Sequence, residues 1–170
     1  MRYCLKNYTG AAMEIFTVSL FGHRRLENPF VVEERLEKIV DSLLHSDKYV
    51  EFIVGREGDF DILAASVIRR RQKALDYGMS ALVLVLPYPK AEYINNLEAF
   101  EQYYDEVRIC EESGKAYFKA AYKIRNRIVI EQSDLIISCI EHNSGGAYQA
   151  AAYGKRIGKR VINIAEPQGL

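Results

Sequence analysis

Six apolar residues in a row, Ala81-Leu82-Val83-Leu84-Val85-Leu86, restrict what this chain can become more than any other segment. A strand with one face in water alternates apolar and polar side chains. One that is apolar at every position is covered on both faces, as in a parallel sheet flanked by helices. Leu135-Ile136-Ile137 repeats the pattern. Together with β-rich runs at 15–21, 50–54, 106–110 and 160–164, the segments 81–86 and 135–140 predict about six strands.

Helical patterns fill the intervals. Val32, Leu36, Ile39, Val40 and Leu43 recur at helical spacing after Asn28-Pro29, a pair suited to a cap and a first turn. A second helix is expected from about Asp59 or Asp61, with Leu63, Val67, Ile68, Ala74 and Leu75 turned inward and a stop at Gly78. A third should span about 115–132 with Ala121, Ile124 and Ile128 on its buried face, and an Ala-rich fourth covers 145–156. Strands alternating with helices imply right-handed βαβ units. The fold class is therefore α/β, a three-layer α/β/α sandwich around a mostly parallel sheet of about six strands. With 170 residues and no repeat or linker, one domain spanning 1–170 is expected.

Composition narrows function. The 23 basic and 23 acidic side chains cancel, which argues against non-specific nucleic-acid binding as the main activity. The basic clusters Arg69-Arg70-Arg71 and Lys155-Arg156 with Lys159-Arg160 read as solvated helix surface and turn. No apolar run approaches the roughly 20 residues needed to cross a bilayer. The first residues lack the apolar core of a secretory signal. Cys4, Cys110 and Cys139 match no metal or disulfide spacing and read as reduced thiols of a cytoplasmic protein.

Ligands of open parallel sheets sit beyond the carboxyl ends of the strands, beside helix N-termini. Gly22-His23-Arg24 follows the first strand. Glycine admits close approach and Arg24 offers a charged fork for phosphate or carboxylate, although the tripeptide alone better fits a turn glycine beside solvated arginines. Gly55-Arg56-Glu57-Gly58-Asp59-Phe60-Asp61 follows the second. Its three acids would repel a phosphate lying on the turn, so Asp61 is assigned as helix cap, and Gly55 and Gly58 as room for a ribose or base. Ser144-Gly145-Gly146, after Glu141-His142-Asn143, is the best phosphate cradle, because no carboxylate follows in the first turn of the helix it opens. Neither a dinucleotide fingerprint nor a P-loop occurs. Arg125 shares a helix face with Phe118, Ala121, Tyr122 and Val129, and there it needs an anionic partner, either a protein carboxylate or a ligand phosphate. Arg127 falls on another face. A metal site built on His23 and His142 with Asp61 or Glu141 has no close His pair to support it, and no metal is assigned.

Together these pieces resemble the SLOG superfamily of Rossmann-like nucleotide-binding proteins, most closely its YpsA-like branch of unestablished activity, and next the core domain of the DprA DNA-processing proteins. The resemblance rests on Gly22-His23-Arg24, Gly55 and Gly58 with Asp61, Leu86-Pro87-Tyr88, Arg125-Asn126, Ser133-Asp134, Gly145-Gly146 and Tyr153, in that order, over about 16–164. It implies a pocket for a nucleotide or nucleotide-derived small molecule, with no further cofactor. Gly22, His23, Arg24, Arg125, Asn126, Ser144, Gly145 and Gly146 would hold phosphate and ribose, Asp61 and Glu141 would accept ribose hydroxyls, and Tyr88 would stack on a base. By analogy with this architecture a homo-oligomer is expected, with the Tyr-rich stretch 93–104, otherwise packing, and the Ala-rich helix as surfaces. In related phosphoribohydrolases a Glu that falls here on Ala152 cleaves the N-glycosidic bond. With that acid gone, Glu57, Asp59, Asp61 and Glu141 are the candidates for a different one. The expected role is that of a sensor or regulator. Glycosidic hydrolysis is the alternative, and single-stranded DNA binding stands behind both.

Overall fold

A computed structural model describes residues 13–75 and 78–166; Cys4 and the chain start lie outside the described residues. Six strands are found where apolar runs predict them: β1 (Ile15–Gly22), β2 (Tyr49–Val54), β3 (Ser80–Leu86), β4 (Glu106–Ile109), β5 (Leu135–Cys139) and β6 (Arg160–Asn163). Every pairing is parallel, and the strand order is β4-β3-β2-β1-β5-β6. The order therefore reverses between β1 and β5.

Burial explains the unbroken apolar run. Leu82, Leu84 and Leu86 of β3 join the core beneath α1 (Pro29–Leu44), α2 (Asp59–Leu75) and α4 (Leu97–Tyr103). Ala81, Val83 and Val85 face the opposite way, into a second cluster with residues of α6 (Phe118–Gln132) and α7 (Gly145–Arg156). Each fully buried Val or Leu is worth about 1.5–3 kcal/mol, so both layers depend on this strand. At the start of α1, the Asn28 side chain accepts a hydrogen bond from the Val31 N–H at 3.4 Å, and Pro29 fills the first turn.

Three helix expectations need correction. In α2, Ala74 is exposed and Leu75 half-buried, whereas Gln72 is buried and donates to the Ser80 hydroxyl at 2.9 Å. A polar side chain with partners displaces a small apolar one whose helix face points to water. The third helix begins at Phe118 rather than near 115, after a separate turn, α5 (Glu111–Gly114). Its buried face carries Ala121, Arg125, Val129 and Ile130, while Ile124 and Ile128 are only half-buried. The segment between β3 and β4 forms α3 (Ala91–Asn95) and α4, and here Phe100 and Tyr104 are buried in the core. Finally, the run Arg69-Arg70-Arg71 is paired rather than merely solvated: Arg69 with Asp105, Arg70 with Glu33 and Glu37, Arg71 with Asp41. No helix among the described residues is long and apolar enough to cross a membrane.

One close approach fixes the geometry around the strand-order reversal. A Cβ built on Gly22 would lie 2.2 Å from the ring of Phe60, which is fully buried at the start of α2. Gly22→Ala is expected to destabilise the protein by about 1–3 kcal/mol, the range for overpacking a filled core. Urea unfolding should show a lower midpoint with an unchanged m value.

Candidate functional site

Where the order reverses, the loops leaving β1 and β5 lead to helices on opposite faces of the sheet, and a crevice opens at the carboxyl edge. The cleft there has a volume of about 540 Å³, of a size to take a small molecule. It brings together Gly22, His23 and Arg24 after β1, Glu57 and Asp61 after β2, Arg125 and Asn126 on α6, and Gly145 and Gly146 at the start of α7. Gly55, Gly58, Tyr88, Glu141 and Ser144 do not line it.

The floor is a cluster of charges taken out of water. Arg125 is 4% exposed, and its Nε is buried without a hydrogen-bond partner. Its nearest ion-pair contact is loose, with Nη2 standing 3.9 Å from Glu57 Oε1. Burial lowers the pKa of the guanidinium, opposed by Asp61 and Glu57. Glu57 is itself ion-paired with Lys90. Asp61 sits inside the first turn of α2 rather than at its cap, and its Oδ2 accepts the Glu57 N–H at 2.6 Å. Burial pushes the Asp61 carboxyl up to about 6, against the opposing pull of that N–H and of Arg125. On Asn126, Oδ1 is also buried without a partner.

The room beside Gly55 and Gly58 is used by the chain itself. A Cβ on Gly55 would lie 3.0 Å from Asp61 Oδ2 and 3.1 Å from Arg125 Nη1, so this glycine lets the charged pair fold over the backbone. A Cβ on Gly58 would lie 2.3 Å from Arg24 Cα, and the Asp59 N–H donates to the Arg24 carbonyl at 2.9 Å. The space assigned to a ribose or base is thus filled at Gly55 by Asp61 and Arg125 and at Gly58 by the backbone of the β1–α1 loop. Glu141 is similarly engaged: both of its carboxylate oxygens lie 3.4 Å from the Glu27 N–H. Tyr88 stands one ring back, its hydroxyl 3.1 Å from that of Tyr122, which does line the cleft. Tyr122 and Arg25 are lining residues that the sequence reading did not assign. The position of Tyr122 three residues before Arg125 on the same helix face was the available signal.

The opposite wall is polar and open. Ser144 precedes α7 without a side-chain cap, Gly145 takes a φ of 89° that disfavours other residues, and no acid occupies the first turn. These uncapped N–H groups and the helix dipole favour an anion. His23 and His142 face each other as parallel rings, 3.7 Å between centroids and 6° between planes. The His142 N–H donates to His23 Nε2 at 3.3 Å, which places the proton of the neutral ring on Nδ1. Burial, then His142, lowers the pKa of His23, with Glu141 opposing. Rings stacked face to face do not point their nitrogens at a common ion. Among the described residues no group of three or more His, Cys, Asp or Glu is placed to hold a metal. Cys110 and Cys139 are free and buried.

Two solved structures place this architecture among known folds. The structural-genomics target TM1055 matches with a TM-score of 0.54 at 14% identity, over 86% of this chain and 72% of that one. DNA processing protein A (DprA) from Streptococcus pneumoniae matches with a TM-score of 0.53 at 13% identity, over 92% of this chain and 63% of that one. The fold is Rossmann-like. At these identities the likeness is one of fold alone, and the match spans less than two thirds of the DprA chain. The sequence matches no family model and no curated protein.

The buried carboxyl generates a pH signature. An unfolded Asp61 titrates at 3.8 and the folded one at about 6, so the folded state holds this proton more tightly. The burial penalty is absent below the lower value and complete above the upper one, where it amounts to about 3 kcal/mol. Asp61→Asn keeps the acceptor for the Glu57 N–H but cannot ionise. Measured by urea unfolding, the stability of this variant relative to the parent should rise by about that amount from pH 3 to pH 7. A difference that stays flat with pH would contradict the assignment.

Proposed function

We propose that this chain binds a nucleotide or nucleotide-derived small molecule in the cleft at the carboxyl edge of the sheet and acts as a sensor or regulator. One observation carries the reading. Arg125 is buried on the cleft floor, makes no hydrogen bond among the described residues, and has only a distant carboxylate beside it. An arginine held in this way is a preformed receptor for an anion that arrives from outside. The uncapped start of α7 at Gly145 and Gly146 supplies a second anion-favouring group on the far wall. In this arrangement the phosphate lies between Arg125 and the start of α7, with Arg24 and Arg25 beside it. The ribose lies over Asn126 and Asp61, whose raised pKa suits it to sharing a proton with a hydroxyl. The motif order that resembles the YpsA-like branch of SLOG proteins supports the same ligand class.

Hydrolysis of a glycosidic bond has less behind it. Position 152, where related hydrolases carry their acid, is an exposed alanine on α7 that does not line the cleft. Glu141 is held by the Glu27 N–H, and Glu57 by Lys90.

Arg125→Met separates binding from folding. An apolar side chain of similar length removes the burial cost of the guanidinium and also the charge that opposes burial of Asp61, two effects on stability of opposite sign. The ligand-free variant should melt close to the parent. Nucleoside monophosphates should raise the melting temperature of the parent and leave the variant unmoved. Equal ligand-induced shifts in both proteins would remove Arg125 from the site.

A further inference from the structure

We propose that Phe118 and Tyr122 on α6 form a base-stacking subsite at the rim of the cleft, so that the ligand carries an aromatic base in addition to its phosphate. This rests on the nucleotide reading above and adds to it which part of the chain recognises the base.

Phe118, Tyr122 and Arg125 stand at i, i+4 and i+7 on α6, one above another on a single face, spanning about 10 Å of helix. Arg125 and Tyr122 line the cleft, and Phe118, one helical turn further along the same face, is 61% exposed and stands beside the lining rather than in it. A single exposed ring carries no argument by itself; what distinguishes this one is its contact with a ring that lines the cleft. Here it is not a loose surface residue. Its centroid lies 5.6 Å from that of Tyr88 and 6.1 Å from that of Tyr122, nearly perpendicular to the latter.

The ring positions are set in advance of any ligand. The Tyr88 and Tyr122 hydroxyls are 3.1 Å apart, and the Lys90 ammonium lies over the Tyr122 ring, 5.4 Å from its centroid. Lys90 is also the partner of Glu57, so the aromatic wall is tied to the charged floor. Tyr88 thus acts as a positioning residue behind the wall rather than as the stacking ring. A rigid aromatic surface loses little entropy on binding a flat partner and is indifferent to which base it meets. The place of this surface selects the occupant: Tyr122 lines the same cleft as Arg125, Asp61 and the anion-favouring start of α7. A ligand reaching both ends has a charged group, a hydroxylated middle and a flat apolar end.

The test compares ribose 5-phosphate with the four nucleoside 5′-monophosphates by isothermal titration calorimetry, on the full chain and its Phe118→Ala and Phe118→Tyr variants. Phe118 is exposed, so both variants should fold as the parent does. At least one nucleotide should bind the parent more tightly than ribose 5-phosphate. Phe118→Ala should weaken that nucleotide about 5- to 100-fold and leave ribose 5-phosphate unchanged, and Phe118→Tyr should restore the nucleotide affinity. Equal affinity of the parent for nucleotide and ribose 5-phosphate would overturn the base subsite while leaving phosphate binding intact. So would a Phe118→Ala variant that keeps its full nucleotide affinity, which would turn the exposed ring over to a protein partner. If neither class of probe binds the parent, the nucleotide reading itself fails, and this subsite with it.

Discussion

A guanidinium held out of water without a hydrogen bond is costly to keep, and the chain around Arg125 is arranged to offset that cost. Gly55 contributes no side chain, so Asp61 and Arg125 lie over its backbone. Asp61 reaches back to the Glu57 N–H, which keeps the turn before α2 tight and leaves Glu57 facing both Arg125 and Lys90. Gly58 lets the Arg24 backbone settle on that same turn. Acids suit the start of any helix, but the two glycines are explained only by what packs on them: the Asp61 and Arg125 side chains at Gly55 and the Arg24 backbone at Gly58.

The sheet was legible because its signal is collective. Six β-rich runs place the strands to within a residue or two; the inner ones are covered on both faces, while the edge strands β4 and β6 stay partly exposed. The helix faces were less legible where polar groups compete for burial. Gln72 goes in and Ala74 stays out because Gln72 reaches the half-buried Ser80 hydroxyl, and that is a relation between two elements which periodicity along one of them cannot express. The start of α6 moved for a similar reason: Ser113 is fixed by the Pro87 and Cys110 carbonyls, which closes a separate turn ahead of the helix.

The same limit applies to the cleft. Arg24, Arg125, Asn126, Gly145 and Gly146 could be read from their positions after strands and on a helix face, because chemistry at a sheet edge follows from topology. Gly58 was read as open space, but a glycine signals only that something comes close, and here it is the chain's own backbone. Tyr88 and Tyr122 are 34 residues apart, and nothing local says which of the two hydrogen-bonded hydroxyls belongs to the inner ring.

The stacked histidines have a mechanical meaning. His23 belongs to the segment that leads into α1, and His142 to the one that leads into α7; these helices cover opposite faces of the sheet. The two rings, with the Glu27 N–H held by Glu141, make a strut across the top of the molecule. The loops that lead to opposite faces of the sheet are thus joined directly at its edge, in addition to the contact each makes with the interior.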